Sequence, residues 1–493
     1  MFDSRKIDVY FEETNSIKTP KGFLKKGVSW RRVFKLMLPC VAAALLGVMV
    51  VMPNIRKSVD LQDDLTIPHK NEMEKLHMEQ TVFSSTDSKN RVNKITADSV
   101  DETSPGSKIM KIINPRGSIP TDSGIVDIVS NEGFFNQNTN VINLYGNVRA
   151  VIDNNTVITS SEVSYDFNTG KGRGNKQVNA KGDWGALDAE AFDYDKNEEI
   201  LTLKGSNTIK GNGGILKAHD KTIIYQKENK TVSIGKASVS QKGNDLFADK
   251  IIAYFNGSGK RELVRAEAYG NVIIKTPGET AFGKEGYYNP QIGEVILYGS
   301  SQNRKNDKGY VRIRQGDNVL YAEKMVANLA TSGRKDLQNM VALGAVKVVT
   351  PKETVMGKEG HYNPYKGEIV MYGDFLTTPQ KKGRVVIHQG ENTLQAEKIT
   401  AYLNKNRKKD LQKAIAVGSV EVFTPKGSAR GDKGIYSPEN NKVELFDNVR
   451  IEQNGNFIDG AYAETDLLTS VSRITGDKNT GGRIHGIFYK TRK

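Results

Sequence analysis

Six histidines and one cysteine are the residues from which a metal site or a covalent nucleophile would have to be assembled. His69, His77, His219, His361, His388 and His485 form no close pair with metal-ligand spacing, and Cys40 has no second cysteine to join it. No Gly-x-Ser-x-Gly elbow and no phosphate-binding P-loop is present. Asp249, Glu323 and Glu397 recur at a constant step of 74 residues. One acid per step gives no reason to expect the close carboxylate pair that acid–base catalysis uses. Such acids are expected to end strands or to bind backbone amides at turns. His361 stands where the neighbouring copies carry Tyr287 and Ile435, so that position tolerates residues with no metal chemistry. These patterns predict a protein that is not an enzyme, holds no cofactor or metal, and takes any energy it uses from a partner ATPase.

The charge balance points to partners without choosing one. Lys and Arg number 71 against 57 Asp and Glu, a formal net charge of +14. Such a surplus attracts nucleic acid, anionic lipid headgroups or phosphorylated glycolipids. Nucleic acid is disfavoured, because the basic residues are scattered and the bulk of the chain is expected to be exported. Arg312, Arg314, Lys347, Arg384 and Arg450 lie in strand-like runs. They could meet phosphates at the rim of a groove or form a solvated strand face.

The elements that must position these residues begin with an apolar run. Leu36 to Met52 carries seventeen residues without a charge, near the lower limit for a membrane-spanning helix. Lys18, Lys21, Lys25, Lys26, Arg31, Arg32 and Lys35 precede it, which places residues 1–35 in the cytoplasm and exports the rest. The run ends in Val51-Met52-Pro53-Asn54, without the small-residue site of a cleaved signal peptide, so an uncleaved anchor is expected. Cys40, near the start of the run and after Pro39, reads as a small apolar residue of that segment, not as a lipid attachment site. Residues 53–70 are polar and read as a stalk. Beyond them short alternating runs such as Val141-Ile142-Asn143-Leu144-Tyr145 and Glu294-Val295-Ile296-Leu297-Tyr298 recur between Gly, Asn, Asp and Lys. No helical period is sustained, so the exported part is expected to be all-β.

The strongest pattern is an internal repeat. Gly270-Asn271-Val272 returns as Gly344-Ala345-Val346 and Gly418-Ser419-Val420, 74 residues apart each time. Thr276-Pro277, Thr350-Pro351 and Thr424-Pro425 keep the step, as do Gln241, Gln315 and Gln389 and the turn-adjacent Tyr288, Tyr362 and Tyr436. The tyrosines are expected to pack their turns. A half-repeat of about 35 to 37 residues lies within each unit. Strand pairs of this kind cannot bury an apolar face alone; stacking them along one axis gives a continuous two-sheet core. About a dozen strands per sheet makes an arm on the order of 60 Å long, with edge strands left at both ends for another copy or a partner.

Residues 70–211 resemble the periplasmic domain of the LptC family of lipopolysaccharide export proteins. The resemblance rests on Asn90-Arg91-Val92-Asn93-Lys94-Ile95-Thr96-Ala97-Asp98, Leu144-Tyr145-Gly146-Asn147-Val148 and Gly185-Ala186-Leu187-Asp188-Ala189-Glu190-Ala191-Phe192. Residues 212–475 resemble the LptA/OstA-like bridge domain through Val311-Arg312-Ile313-Arg314-Gln315-Gly316-Asp317-Asn318 and the Gly-x-Val turns. The division expected is a cytoplasmic tail 1–35, a transmembrane anchor 36–52, a stalk 53–70, an LptC-like domain 71–211, an LptA/OstA-like repeat domain 212–475 and a basic tail 476–493. At more than twice the usual LptC length, the chain could replace a separate LptA or be an LptC with added repeats.

The resemblance implies an elongated β-jellyroll open along one seam, with acyl chains held between its sheets. It implies an inner-membrane, periplasmic component that takes lipopolysaccharide from an ABC transporter complex and passes it toward the outer membrane. The further partner, an LptA-like protein or an outer-membrane translocon, would join through edge strands. Lipid holding needs apolar residues on the inward face of alternating strands. In the first module the candidates are Ile142, Leu144, Val148, Ala150, Ile152, Val163, Tyr165 and Phe167. In the repeat module they are Val272, Ile274, Val311, Ile313, Val346, Val348, Val385, Ile387, Val420 and Val422. A structural or adhesive β-repeat protein with a closed, dry core would show the same alternation.

Overall fold

The computed structural model of the protein describes residues 76–86, 91–121, 124–152, 155–211, 214–256, 262–300, 309–332, 336–376, 383–404, 411–466, 472–476 and 482–487. The expected cytoplasmic tail, anchor with Cys40, and stalk lie outside the described residues. Among those described, no helix is long and apolar enough to cross a membrane, and the one helical element is a 3-10 turn at Pro438–Asn440. Everything else regular is strand: 34 strands joined into one sheet by antiparallel pairing.

The sheet is folded along its length. A long strand such as Val141–Ile152 pairs with Thr156–Asp166 on one side, but on the other its two halves meet two different short strands. Residues 141–145 pair with Glu132–Asn136, and residues 149–152 with Gly124–Val129. The fold point is a bulge in which Gly146 and Asn147 oppose one residue of the neighbouring strand, both at positive φ (71° and 49°). The same pair of left-handed residues recurs at 235–236, 270–271, 344–345, 418–419 and 447–448. The Gly-x-Val repeat of the sequence is therefore a corner. It splits the structure into two ladders that face each other like the pages of a half-open book.

The corner at Gly146 is closed by Asn131, and the corners at Gly235, Gly270, Gly344 and Gly418 by an acid, Asp220, Asp249, Glu323 and Glu397. At Gly344 (φ +76°) the left-handed backbone disfavours any side chain, and an added Cβ would stand 2.6 Å from Glu323 Oε2 and displace it. Asn271 Nδ2 donates to Asp249 Oδ2 at 2.8 Å, and the Glu397 amide donates to the Gly418 carbonyl at 3.1 Å. The repeated acids are corner posts.

The 74-residue step equals six strands. Leu263–Lys275, Thr280–Asn289, Glu294–Tyr298, Val311–Gln315, Asn318–Ala322 and Lys324–Leu329 return as Leu337–Val349, Thr354–Asn363, Glu368–Tyr372, Val385–Gln389, Asn392–Ala396 and Lys398–Leu403. Alternation along each strand sends one set of side chains between the ladders. There they form three buried clusters, around Phe83–Tyr165, Val126–Ile224 and Ala237–Ala463.

Candidate functional site

The inward face of the second ladder carries one row of cross-strand partners that runs the length of the sheet. It starts with Phe83, Ile95, Gly117, Ile128, Ala150 and Ile158. It passes through Ala180, Leu187, Ile209, Leu216, Val239 and Leu246. The next unit supplies Ile274, Ala281, Ile313 and Leu320, repeated as Val348, Val355, Ile387 and Leu394. The row closes with Val422, Ala429, Ile451 and Ile458. No polar side chain interrupts it.

Burial changes along this row. Ile95 and Ala150 are 5% exposed and Leu187 1%, whereas Leu216 and every later member are half-buried. In residues 76–211 the interior is mostly buried and holds two partly open apolar pockets, one of about 50 Å³ lined by Ile128, Ala150, Tyr165, Leu187, Phe192 and Leu203, among others, and one of about 20 Å³ beside Ile95, Gly117 and Leu144. Trp184 covers the rim there, 6% exposed, with its indole Nε1 donating to Thr156 Oγ1 at 3.2 Å. Beyond residue 214 the row is an apolar floor reachable from outside.

The candidate residues read from the sequence fall into two depths. Val148, Val272, Val346 and Val420 follow the corners and, with Val311 and Val385, are at most 4% exposed. Ile142, Leu144, Ala150 and Tyr165 are also buried, with Val163 and Phe167 packed against their cluster, and Ile152 is buried in the next one. Ile274, Ile313, Val348 and Ile387 are the half-buried floor, and Val422 shares their row. Sequence reasoning missed Leu216, Leu246, Leu320, Val355 and Leu394 of the floor, together with Val239, Ala281, Ala429, Ile451 and Ile458. It also missed Trp184. Strict alternation from Ile313 across the hairpin to Leu320 would have found the former. Tyr288, Tyr362 and Tyr436 lie within strands, opposite Ala266, Met340 and Ala414, rather than in the turns they were expected to pack.

The basic residues do not face this floor. Strand alternation turns Arg312 outward, where its guanidinium stacks 4.1 Å from the Phe282 ring, and Lys347 outward over Tyr321 at 5.6 Å. Arg314 shares that face. Arg384 pairs with Glu421 at 3.3 Å. Arg450 makes a two-point bond to Asp459 at 2.6 and 2.8 Å, which raises the guanidinium pKa and lowers that of the carboxyl. A phosphate-reading rim built of these residues is therefore not what the strands present.

One rung of the first ladder is polar. Its inward row runs through Phe192 and Leu203 to Thr222 and Ser233 before Ile251 resumes the apolar series. Asn207, standing where the other corners have valine or, at 237, alanine, accepts from Thr222 Oγ1 at 2.6 Å and donates to the Gly205 carbonyl at 2.8 Å. Thr222 and Ser233 are 3.1 Å apart, and all three are buried. This polar rung separates the cluster ending at Ile224 from the one starting at Ala237. Among the described residues no three His, Cys, Asp or Glu lie together as a metal would need.

Comparison with known proteins gives two family matches. Residues 40–210 match the model for lipopolysaccharide-assembly, LptC-related proteins, and residues 380–470 match that for LptA/(LptD N-terminal domain) LPS transport proteins. These are families of transport and assembly proteins, not of enzymes. Among solved structures the chain is similar to LptH of Pseudomonas aeruginosa, the LptA-homologous periplasmic component of the conserved lipopolysaccharide transport device. That match has 19% identity, covers 28% of this chain and 95% of that one, and has a TM-score of 0.23. No curated protein matches the chain.

Proposed function

We propose, from an LptC-related region followed by an LptA/LptD-N-type region in one chain, that this protein is an inner-membrane-anchored, periplasmic component of a lipopolysaccharide export bridge. It holds acyl chains along the inward apolar row and passes them from an ABC transporter complex toward the outer membrane. The apolar run 36–52 is the anchor, residues 71–211 the LptC-like module and 212–475 the LptA/OstA-like module. The observation that carries the reading is the uninterrupted apolar row from Phe83 to Ile458, packed in residues 76–211 and half-buried from Leu216 on, where it would hold acyl chains. Edge strands supply the partner contacts. His77–Thr86 is paired on one side with Val92–Glu102, and the far end closes on the short strands Ser472–Thr475 and His485–Ile487.

A photo-crosslinker placed at Ile313 or Ile387 in cells should yield lipopolysaccharide adducts, and depletion of the protein should strand lipopolysaccharide at the inner membrane. Absence of adducts from every floor position would sink the proposal. A structural β-repeat with a dry core is favoured by one observation, the buried row of residues 76–211. In that case crosslinkers at Ile158 and Ile313 would be equally silent.

A further inference from the structure

The hairpin ends above the apolar floor carry a second periodic feature. Gln315 is two residues beyond Ile313 on the same face of its strand, and its cross-strand partner is Asn318. The same Gln–Asn pair closes the hairpins at Gln241 and Asn244, Gln389 and Asn392, and Gln453 and Asn456. The turns between them need left-handed backbone, met by Lys242 and Gly243, Gly316, Gly390, and Asn454 and Gly455. The pairs at 241/244, 315/318 and 389/392 are exposed and make no side-chain hydrogen bond among the described residues.

The hairpins that alternate with them are different. Thr276, Thr350 and Thr424 turn their hydroxyls onto carbonyls of their own loops, at 3.3, 3.2 and 3.0 Å. In residues 76–211 the matching rim positions are Ile152, Thr156, Gly182 and Gly185, and Trp184 covers them. Unspent amides therefore begin where the floor opens. Four strands separate successive amide hairpins, roughly 19 Å.

We propose that this amide rail is a binding subsite for the uncharged belt of an acylated sugar: the acyl amide and ester carbonyls and the sugar hydroxyls. The inference rests on the lipid-carrying reading above and specifies which part of the lipid the rim reads. A carboxamide both donates and accepts, which suits carbonyls and hydroxyls; a bare phosphate needs donors and gains from positive charge. The strand face that carries Arg312, Lys347, Arg384 and Arg450 is turned away from the floor, and these cations are engaged with rings or carboxylates. The apolar floor takes the acyl chains, and the rail one step above takes the linkage zone.

The test compares the full-length protein with its Q315A/N318A/Q389A/N392A variant, measuring binding of lipopolysaccharide and of a saturated fatty acid at low and high salt. All four side chains are exposed, and a β-type circular dichroism spectrum matching the parent's checks the fold. The variant should bind lipopolysaccharide about tenfold more weakly, the loss of one or two net hydrogen bonds, with fatty-acid binding changed less than about twofold. Lipopolysaccharide binding by the parent should vary little with salt. Unchanged lipopolysaccharide binding by the variant, or parent binding that collapses with salt, overturns the rail. A parent protein that binds neither lipid overturns the carrying function itself.

Discussion

Residues 76–211 and residues 230–466 share one corner geometry and fill it differently. In the first region large side chains, Leu144, Tyr165, Leu187, Phe192 and Leu203, meet between the ladders and are buried out to the rim. In the second, alanines (Ala248, Ala268, Ala322, Ala342, Ala396 and Ala416) alternate beside the corners with the larger Leu297, Met325, Met371 and Ile399, and a valine follows each Gly-x step of the 74-residue repeat. The next row outward keeps part of its surface free from Leu216 on, whereas in the first region Leu187, in the same row, is 1% exposed. A common backbone thus carries a packed core in one region and an open apolar floor in the other.

The largest expected effect tests that contrast directly. Phe192→Ala should destabilise the strands around it by about 3–5 kcal/mol, as removal of a buried aromatic does. Ile313→Ala, on the half-buried floor, should cost about 1–2 kcal/mol because much of the removed surface was never dry. Hydrogen exchange of the flanking strands measures both. Equal losses would mean that the second region is as closed as the first. Lipopolysaccharide crosslinking at Ile387 should respond in the opposite order, more to Ile313→Ala than to Phe192→Ala.

The boundary between the regions supplies the next test. Thr222→Val keeps the side-chain shape but leaves Asn207 Oδ1 and Ser233 Oγ without their shared hydroxyl in a buried site. The expected cost is about 1–3 kcal/mol, read as lost exchange protection in Ile200–Gly211 and Lys230–Gln241. Replacing all three members by apolar residues of similar volume should cost less than the single change, because no buried polar atom is then left unpaired. If the single and triple variants unfold alike, the rung does not act as a unit and the regions are joined by ordinary packing.

Much of this contrast was legible in the sequence, and its limits are physical. The 74-residue step showed the six-strand unit because its corners carry glycine, Gly270, Gly344 and Gly418, at their first left-handed position. Alternation placed Val272, Ile313 and Ile387 inward, because a strand has only two faces. What alternation could not supply was depth: Val311 and Ile313 are two residues apart on one face, yet one is fully buried and the other is floor. Depth depends on distance from the corner and on the volume facing it across the interior. The arginines were open to misreading because Arg312 and Arg314 flank Ile313, and only the register shows which face the rim presents. Asn207 gave no sign, since its role comes from Thr222 and Ser233 on two later strands.

The smallest expected effect concerns Tyr165, in the closed region. Its ring lies in the interior, edge-to-face with Phe167 at 5.0 Å, and is 2% exposed. Burial, with a smaller contribution from the Asp166 charge, pushes its hydroxyl pKa up to about 12. The folded chain keeps that proton while the unfolded chain loses it near pH 10, so stability falls as pH rises from 10 through 12. By pH 11 the loss from this one group is about 1 kcal/mol. Tyr287 and Tyr462, on the outer face of the second region, are also raised, first by burial and then by hydrogen bonds, to Tyr269 for Tyr287 and to Glu444 for Tyr462. Their titration depends on hydrogen-bonding neighbours as well as on dryness. Tyr165→Phe keeps the ring and removes the proton, so exchange protection of Val141–Ile152 in that variant should hold up better between pH 10 and 11 than in the parent. An identical pH dependence in the two would mean that water already reaches the interior of residues 76–211, and the difference between a closed and an open region would shrink to one of degree.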